Sequence, residues 1–400
     1  MKKIIKLILL IIIIINLSGC YNYKEINDYA IVSGVSIDLD SKDENKYKVG
    51  VQIMNAKKEE ESDNSLITFY ESSGKTIYEA LETIMLDSPK QLYLGHNEVI
   101  VIGENLLRKK NPLEYLDYFM RDAKTEKKSL VMVAKEKNAY DVLKIITPLE
   151  TISSKNLLST LGVSDNYSGI LTIIKIDEFI KDIANPLVEP IIPAISVTGD
   201  VKEGEKMDNV KKSDPDAKLS FDTLAYFKNN KLAGYLTDDE SVGYNFLAKT
   251  PKETYINIKC DNNNYATIRV TNSNIKEKVY YKNKIPTILV NANIQADVLE
   301  YNCKADFLND SKKIKSIEKK SANKIKKLME KTINKLYTKE KSDALKYVKK
   351  FKAKKYKQTK LYNYSKDDIL NKIKFNLNVK VKIKSTELSI KSIRKESKYE

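Results

Sequence analysis

From residue 4 to residue 15 every position but Lys6 is isoleucine or leucine. Twelve residues fall short of the about 20 that a bilayer-spanning helix needs. Lys2, Lys3 and Lys6 make the start positive, and "NLSGC" (Asn16–Cys20) closes the run with small residues. A positive start, a short apolar run and a small-residue cut site describe an export signal. Residues 1–19 are therefore expected to be removed, and everything from residue 20 on must fold outside the cytoplasm. No later segment reaches spanning length.

The cysteine adds a second instruction. Leu17, Ser18 and Gly19 before Cys20 look like a lipobox, in which the cysteine sulfur takes diacylglycerol and cleavage between Gly19 and Cys20 leaves Cys20 first. Acyl chains such as palmitate contribute about 0.8 kcal/mol per buried CH₂, and two anchor far better than one. Two other cysteines, Cys260 and Cys303, stand near the ends of expected strands. In an oxidising compartment they pair or stay free, and spacing alone does not decide.

A chain of 400 residues suggests two or three domains. The formal net charge is +16, unevenly placed. Residues 311–400 hold 30 basic and 9 acidic side chains, a net of +21, while residues 20–310 carry −8. Such asymmetry points to nucleic acid or to an anionic membrane surface. Export removes nucleic acid, leaving anionic headgroups as the expected partner, against a plainly solvated lysine face.

Strands are expected at "AIVSGVSID" (30–38), "YKVGVQIM" (47–54), "SLITFYES" (65–72), "NEVIVIG" (97–103) and "SLVMVAK" (129–135). Between and after them "GKTIYEALETIM", "NPLEYLDYFMRD", residues 138–146, "ETISSKNLLSTLG" and "IKIDEFIKDIA" read as helices. "NPLVEPIIPAISVTGD" carries three prolines and reads as an extended segment at a sheet edge. Residues 201–216 are polar and aperiodic, the expected linker between an N-terminal α/β region (20–200, one or two subdomains) and a C-terminal α+β domain (217–400). In the second half Asn229-Asn230 marks a hairpin, Thr237 and Glu240 a capping box, and long strands follow from residue 253. Ile314, Ile317, Ile325, Leu328, Ile333 and Leu336 keep helical spacing among lysines, with a break near "TKEKSD". Ser365 caps a short helix, and Leu377, Val379, Val381 and Ile383 alternate as a half-buried late edge strand. The expected class is α+β: multi-domain mixed α/β with mixed and antiparallel sheets and a long C-terminal amphipathic helix.

Nothing marks catalysis. The one histidine, His96, sits in "YLGHNEVIVIG" and reads as a turn residue; a nucleophilic triad or a zinc site needs more around it. "GKT" at Gly74 lacks the upstream glycine of a phosphate loop. No cofactor, metal or catalytic residue is expected.

Several stretches resemble the Ger(x)C family, the C-subunit lipoproteins of spore germination receptors in endospore-forming bacteria. They are "GCYNYKEINDYAIVSGVSID", "GKTIYEAL", "LYLGHNEVIVIGENL", "LDYFMRD" and "LAYFKNNKLAGYLTDDESVGYNFLA". Tyr21 stands where the family usually has tryptophan, and "DALKYVKKFKAKKYKQ" follows the pattern only loosely. The resemblance implies a non-enzymatic lipoprotein on the outer face of the spore inner membrane, lipidated at Cys20, acting with integral membrane A and B subunits in nutrient sensing. Its implied fold is three mixed α/β domains. The alternative is a substrate-binding lipoprotein of a transporter, which calls for two doubly wound lobes; the long strands after Tyr255 speak against it.

Overall fold

The computed structural model describes residues 4–5, 26–55, 67–167, 169–248, 253–260, 264–303 and 311–385. Gly19, Cys20 and most of the leader lie outside the described residues. Among the described residues the strands form two sheets. In the first, β1 (Tyr29–Leu39), β2 (Tyr47–Met54) and β3 (Ile67–Gly74) make an antiparallel meander. The short β4 (Gln91–Tyr93) pairs with the start of β1. From β1 the sheet continues in parallel through β5 (Val99–Gly103), β6 (Leu130–Ala134) and β7 (Ile191–Gly199). It ends antiparallel in β8 (Ala217–Lys228) and β9 (Lys231–Tyr235).

Helices α1 (Ile77–Asp87), α2 (Glu104–Lys109), α3 (Leu113–Arg121), α4 (Ala139–Lys144), α5 (Ser153–Tyr167) and α6 (Ile176–Ile183) interleave these strands. They cover both faces, so β5 and β6 are buried along their whole length, as parallel strands between helix layers must be. Alternation along β5 shows the division. Ile100 and Ile102 join a core with α1, α2, α3 and α6; Val99 and Val101 face the opposite one with α4 and α5. Thr76 caps α1 by accepting from the Glu79 N–H at 3.1 Å.

Two expectations meet a different arrangement. The proline-rich segment forms β7, which lies between β6 and β8 and not at an edge. Pro193 is tolerated because β6 meets β7 only at Ala194 and Ile195, so no ladder bond on that side is asked of it. The polar stretch 201–216 holds two one-turn helices, α7 (Val201–Gly204) and α8 (Asp208–Lys211), and β7 and β8 pair across it from Ile191↔Tyr226 to Gly199↔Ala217. Asn209 in α8 is buried and bonds Ile146 O, Ala217 O and Ala217 N, so the stretch is stitched to the sheet it interrupts. The first sheet therefore continues through this region to Tyr235.

The hairpin between β8 and β9 turns on Asn229 and Asn230, both at positive φ, and Thr237 and Glu240 exchange side chain-to-backbone bonds at the start of α9 (Asp238–Ala248). The second sheet follows: β10 (Thr254–Lys259), β11 (Tyr265–Lys282) and β12 (Ile285–Tyr301) antiparallel, then β13 (Lys374–Ser385) parallel to β12 at the edge. A parallel neighbour requires a crossover. It is α10 (Ser311–Ile333), a π turn at Asn334–Lys339, α11 (Tyr347–Lys354), α12 (Tyr356–Leu361) and α13 (Lys366–Lys372). Ile317, Ile325, Leu328 and Met329 of α10 are buried against this sheet, and the break falls in "TKEKSD". Cys260 and Cys303 form a disulfide with Cα atoms 6.0 Å apart, joining the ends of β10 and β12.

The two sheets share one core through α9, whose Tyr244, Phe246 and Leu247 are buried. It packs on α10 through Gly243, where a Cβ would stand 2.2 Å from the Leu328 carbonyl oxygen. Gly243→Ala is expected to force the helices apart and cost about 2 kcal/mol or more. Chemical denaturation checks this; an unchanged midpoint would mean the contact is loose.

Candidate membrane and partner interface

Cys20 precedes the first strand by nine residues, which extend to at most about 30 Å. A 3₁₀ turn, Ile26–Asp28, leads into β1. The start of that strand borders an open cleft of ≈ 580 Å³ between α1 and α3, lined by Tyr29, Tyr78, Tyr93, Tyr118, Arg121 and Lys124 among others. His96 stands beside it, edge-on to Tyr93 at 6.1 Å, in the 3₁₀ turn Leu94–His96. The turn is held from the next residue: Asn97 is buried and bonds Ser129 through both its side chain and its carbonyl. Among the described residues no group of three His, Cys, Asp or Glu side chains is placed to hold a metal, and no helix is long and apolar enough to cross a membrane.

Two buried carboxyls were not singled out by the sequence. Asp38, at the end of β1, accepts the Ala139 and Tyr140 N–H groups at 2.8 and 3.2 Å and so caps α4. Asp343, after the π turn, accepts the Tyr347 and Val348 N–H groups at 2.8 and 2.7 Å and the Tyr337 hydroxyl at 2.6 Å, capping α11. Burial pushes both carboxyls up to about 7, against the pull of these donors. The sequence signal was faint: each acid lies several residues or a whole element away from the helix it caps.

The charge asymmetry has a structural expression. Carboxylates of the acidic region accept lysines from the basic crossover: Asp182–Lys346 at 2.6 Å, Glu277–Lys350 at 2.9 Å and Glu189–Lys366 at 2.5 Å. Asp239 on α9 takes Lys324 and Lys331 from α10. Glu189 is 3% exposed, so its pair is a desolvated one. Most other basic residues of the crossover face outward, and some of them, together with the paired Lys324, border shallow grooves. One lies between α10 and β13 (≈ 680 Å³, with Lys326 and Lys374), another beside β10 (≈ 350 Å³, with Lys259, Lys320, Lys324 and Lys327). These are open surfaces suited to docking rather than enclosed pockets for chemistry.

Residues 22–197 match the family model described as the spore germination protein N-terminal domain, and residues 222–387 match the one described as spore germination B3/GerAC like, C-terminal. Spore germination protein KC of Bacillus subtilis (strain 168) is 30% identical over 329 residues, covering 80% of each chain. The chain belongs to the GerAC family of germinant-receptor C subunits. Spore germination protein B3 of the same strain is 29% identical over 177 residues, 43% of this chain and 46% of its own. In three dimensions the solved GerBC protein covers 88% of this chain and 96% of its own length at a TM-score of 0.52 and 19% identity, a likeness of fold. The two GerAC family models part between residues 197 and 222, around the polar stretch that the sheet spans without a break.

Two outcomes follow from the buried charges. Between about pH 4 and 7 the unfolded chain has released the Asp343 proton while the folded chain keeps it. Folding therefore binds protons, and this contribution to stability, full below about pH 4, is lost as pH rises through about 7. Asp343→Asn should flatten the fall of melting temperature from pH 5 to 8, removing up to about 1.4 kcal/mol per pH unit; an identical slope would place the proton elsewhere. Lys366→Met, by stranding Glu189, should cost about 3 kcal/mol, and adding Glu189→Gln should recover part of it. Additive losses in that double-mutant cycle would show the pair uncoupled.

Proposed function

We propose that this chain is the lipid-anchored, non-enzymatic C subunit of a nutrient germinant receptor. Diacylglycerol on Cys20 holds it to the outer face of the spore inner membrane, beside integral membrane A and B subunits, with its basic C-terminal region toward anionic lipid. The observation that carries the reading is the position of the lipobox: "LSGC" ends two residues before the family match begins at residue 22, and the likeness to protein KC covers 80% of the chain. A tether confines the body to two dimensions and raises its effective concentration near membrane partners. Open grooves and a lone histidine in a turn suit a docking body better than a catalyst. The transporter alternative calls for two doubly wound lobes, whereas the second sheet here is antiparallel except at β13.

Cys20→Ala should move the protein from the membrane to the soluble fraction of spores and slow nutrient germination. The tagged native chain should co-purify from spore membranes with two multi-span proteins. Membrane retention and normal germination of the Cys20→Ala chain, or purification without such partners, would refute the assignment.

A further inference from the structure

From Lys346 to Lys366 the chain holds nine lysines and no carboxylate. This stretch is the elbow formed by α11 and α12, and its two sides differ sharply. The inner side is fixed. Tyr347, Val348 and Phe351 are buried, and the Thr359 hydroxyl lies 2.9 Å from that of Tyr281. The Tyr281 ring packs on Phe351 and Tyr362 with centroids 5.2 and 5.1 Å away. Asp343 holds the first turn of α11 by its N–H groups.

The outer side is basic and unpaired. Lys349, Lys354, Lys357 and Lys360 are exposed, Lys352 and Lys355 half-exposed. Among the described residues none of these six has a carboxylate in ion-pair range, whereas Lys346, Lys350 and Lys366, toward the body, each have one. Amid them stand two large apolar side chains, Tyr356 at 61% and Leu361 at 77% exposure.

A merely solvated lysine face has no use for an exposed tyrosine and leucine. An acidic protein surface would use the lysines alone. A bilayer interface uses both: each lysine near anionic headgroups adds to binding, and tyrosine favours the headgroup level. We propose that the α11–α12 elbow is a second, reversible membrane contact, which binds anionic phospholipid headgroups through these lysines and inserts Tyr356 and Leu361 among them. It rests on the reading of a membrane-held body and adds the element that touches the bilayer. One acyl signal with one basic patch is also the combination that converts marginal into stable anchoring.

The chain contains no tryptophan, so Tyr356→Trp installs a single reporter without background. The mature chain would also carry Cys20→Ala, removing any acyl group. With vesicles of phosphatidylglycerol and phosphatidylcholine, emission from the introduced indole should shift to the blue and be quenched by brominated lipid. Pure phosphatidylcholine should do neither, and 0.5 M salt should reverse the effect, as screening requires. Tyr255→Trp is the control: Tyr255 is exposed and pairs with Arg269, twelve residues along β11 from Tyr281, about 40 Å away. It should not shift. Replacing Lys349, Lys354, Lys357 and Lys360 by glutamate should weaken vesicle sedimentation at least tenfold with the melting temperature not lowered, and Leu361→Ser should weaken it less. Vesicle binding without a shift of the elbow reporter, equal binding by the quadruple variant, or retention on an acidic protein resin but not on vesicles would overturn the proposal. An unmodified Cys20 in the native protein would sink the anchor and leave the elbow's vesicle binding standing; lipidated Cys20 with no vesicle binding by the elbow would do the reverse.

Discussion

At Gly243 α9 lies so near α10 that a Cβ would stand 2.2 Å from the Leu328 carbonyl oxygen, and the mounting of the second sheet depends on that contact. Backbone meets backbone there because no side chain intervenes, and the neighbouring polar groups are arranged to suit. Thr332 donates to the Glu240 carbonyl at 2.6 Å, and Asn245 reaches Gly169 and Leu171 with its amide. The second sheet and its helical crossover are thereby mounted on the first sheet through an interface with native-like packing. Close-packed interfaces resist sliding.

That mount also sorts the charge. The acidic region and the basic crossover meet along pairs such as Asp182–Lys346 and Glu189–Lys366, where partly or fully buried carboxylates need a cation to be tolerated. The lysines used there neutralise the interface; of those left over, Lys335 pairs with Glu340 and lies over the Tyr226 ring, Lys320 bonds the Cys260 carbonyl, and most of the others are exposed. Among the described residues of this basic stretch, 311–385, 26 basic and 6 acidic side chains leave a surplus of +20 on the crossover and β13. Mutual repulsion among these lysines costs stability, which argues against a purely structural reason for them.

The elements were largely legible, and their neighbours were not. Period-two and helical spacing located β2, α1, α10 and β13, and the capping pair Thr237–Glu240 and the Asn229-Asn230 turn are local chemistry that needs no tertiary context. What the residues could not convey was adjacency. The prolines of β7 suggested an edge, yet the strand is interior because its contact with β6 is only two residues long. Residues 201–216 looked like a linker because they are polar and aperiodic, yet the strands on either side are paired, and Asn209 is the only strong clue, visible once it is known to be buried. Asp38 and Asp343 escaped notice for the same reason: each caps a helix that its own sequence neighbourhood does not announce. In the candidate interface the lipobox was readable as chemistry and the lysine surplus as composition, but only the ion pairs of Lys346, Lys350 and Lys366 separate the lysines that serve the body from those that face out.

A single flexible tether fixes a protein's distance from a membrane but leaves its orientation free. On the proposed reading, a lipid on Cys20, with eight residues between it and the first strand, would be one such tether. A second contact on a rigid element removes that freedom, and the elbow is suitably rigid, being capped by Asp343 and wedged by four aromatic rings. For a subunit with the proposed docking role, a fixed orientation would let each encounter sample a narrow set of poses instead of all of them. The same logic accounts for the division of labour in the chain. The matched N-terminal and C-terminal family segments build the body. The elbow lies within the C-terminal match and packs on Tyr281 near the tip of the β11–β12 hairpin; its buried inner side belongs to the core, and only its exposed lysines, Tyr356 and Leu361 can vary without disturbing it. On the proposed reading, orientation by the elbow would be separable from anchoring by Cys20, because the two lie on different parts of the chain.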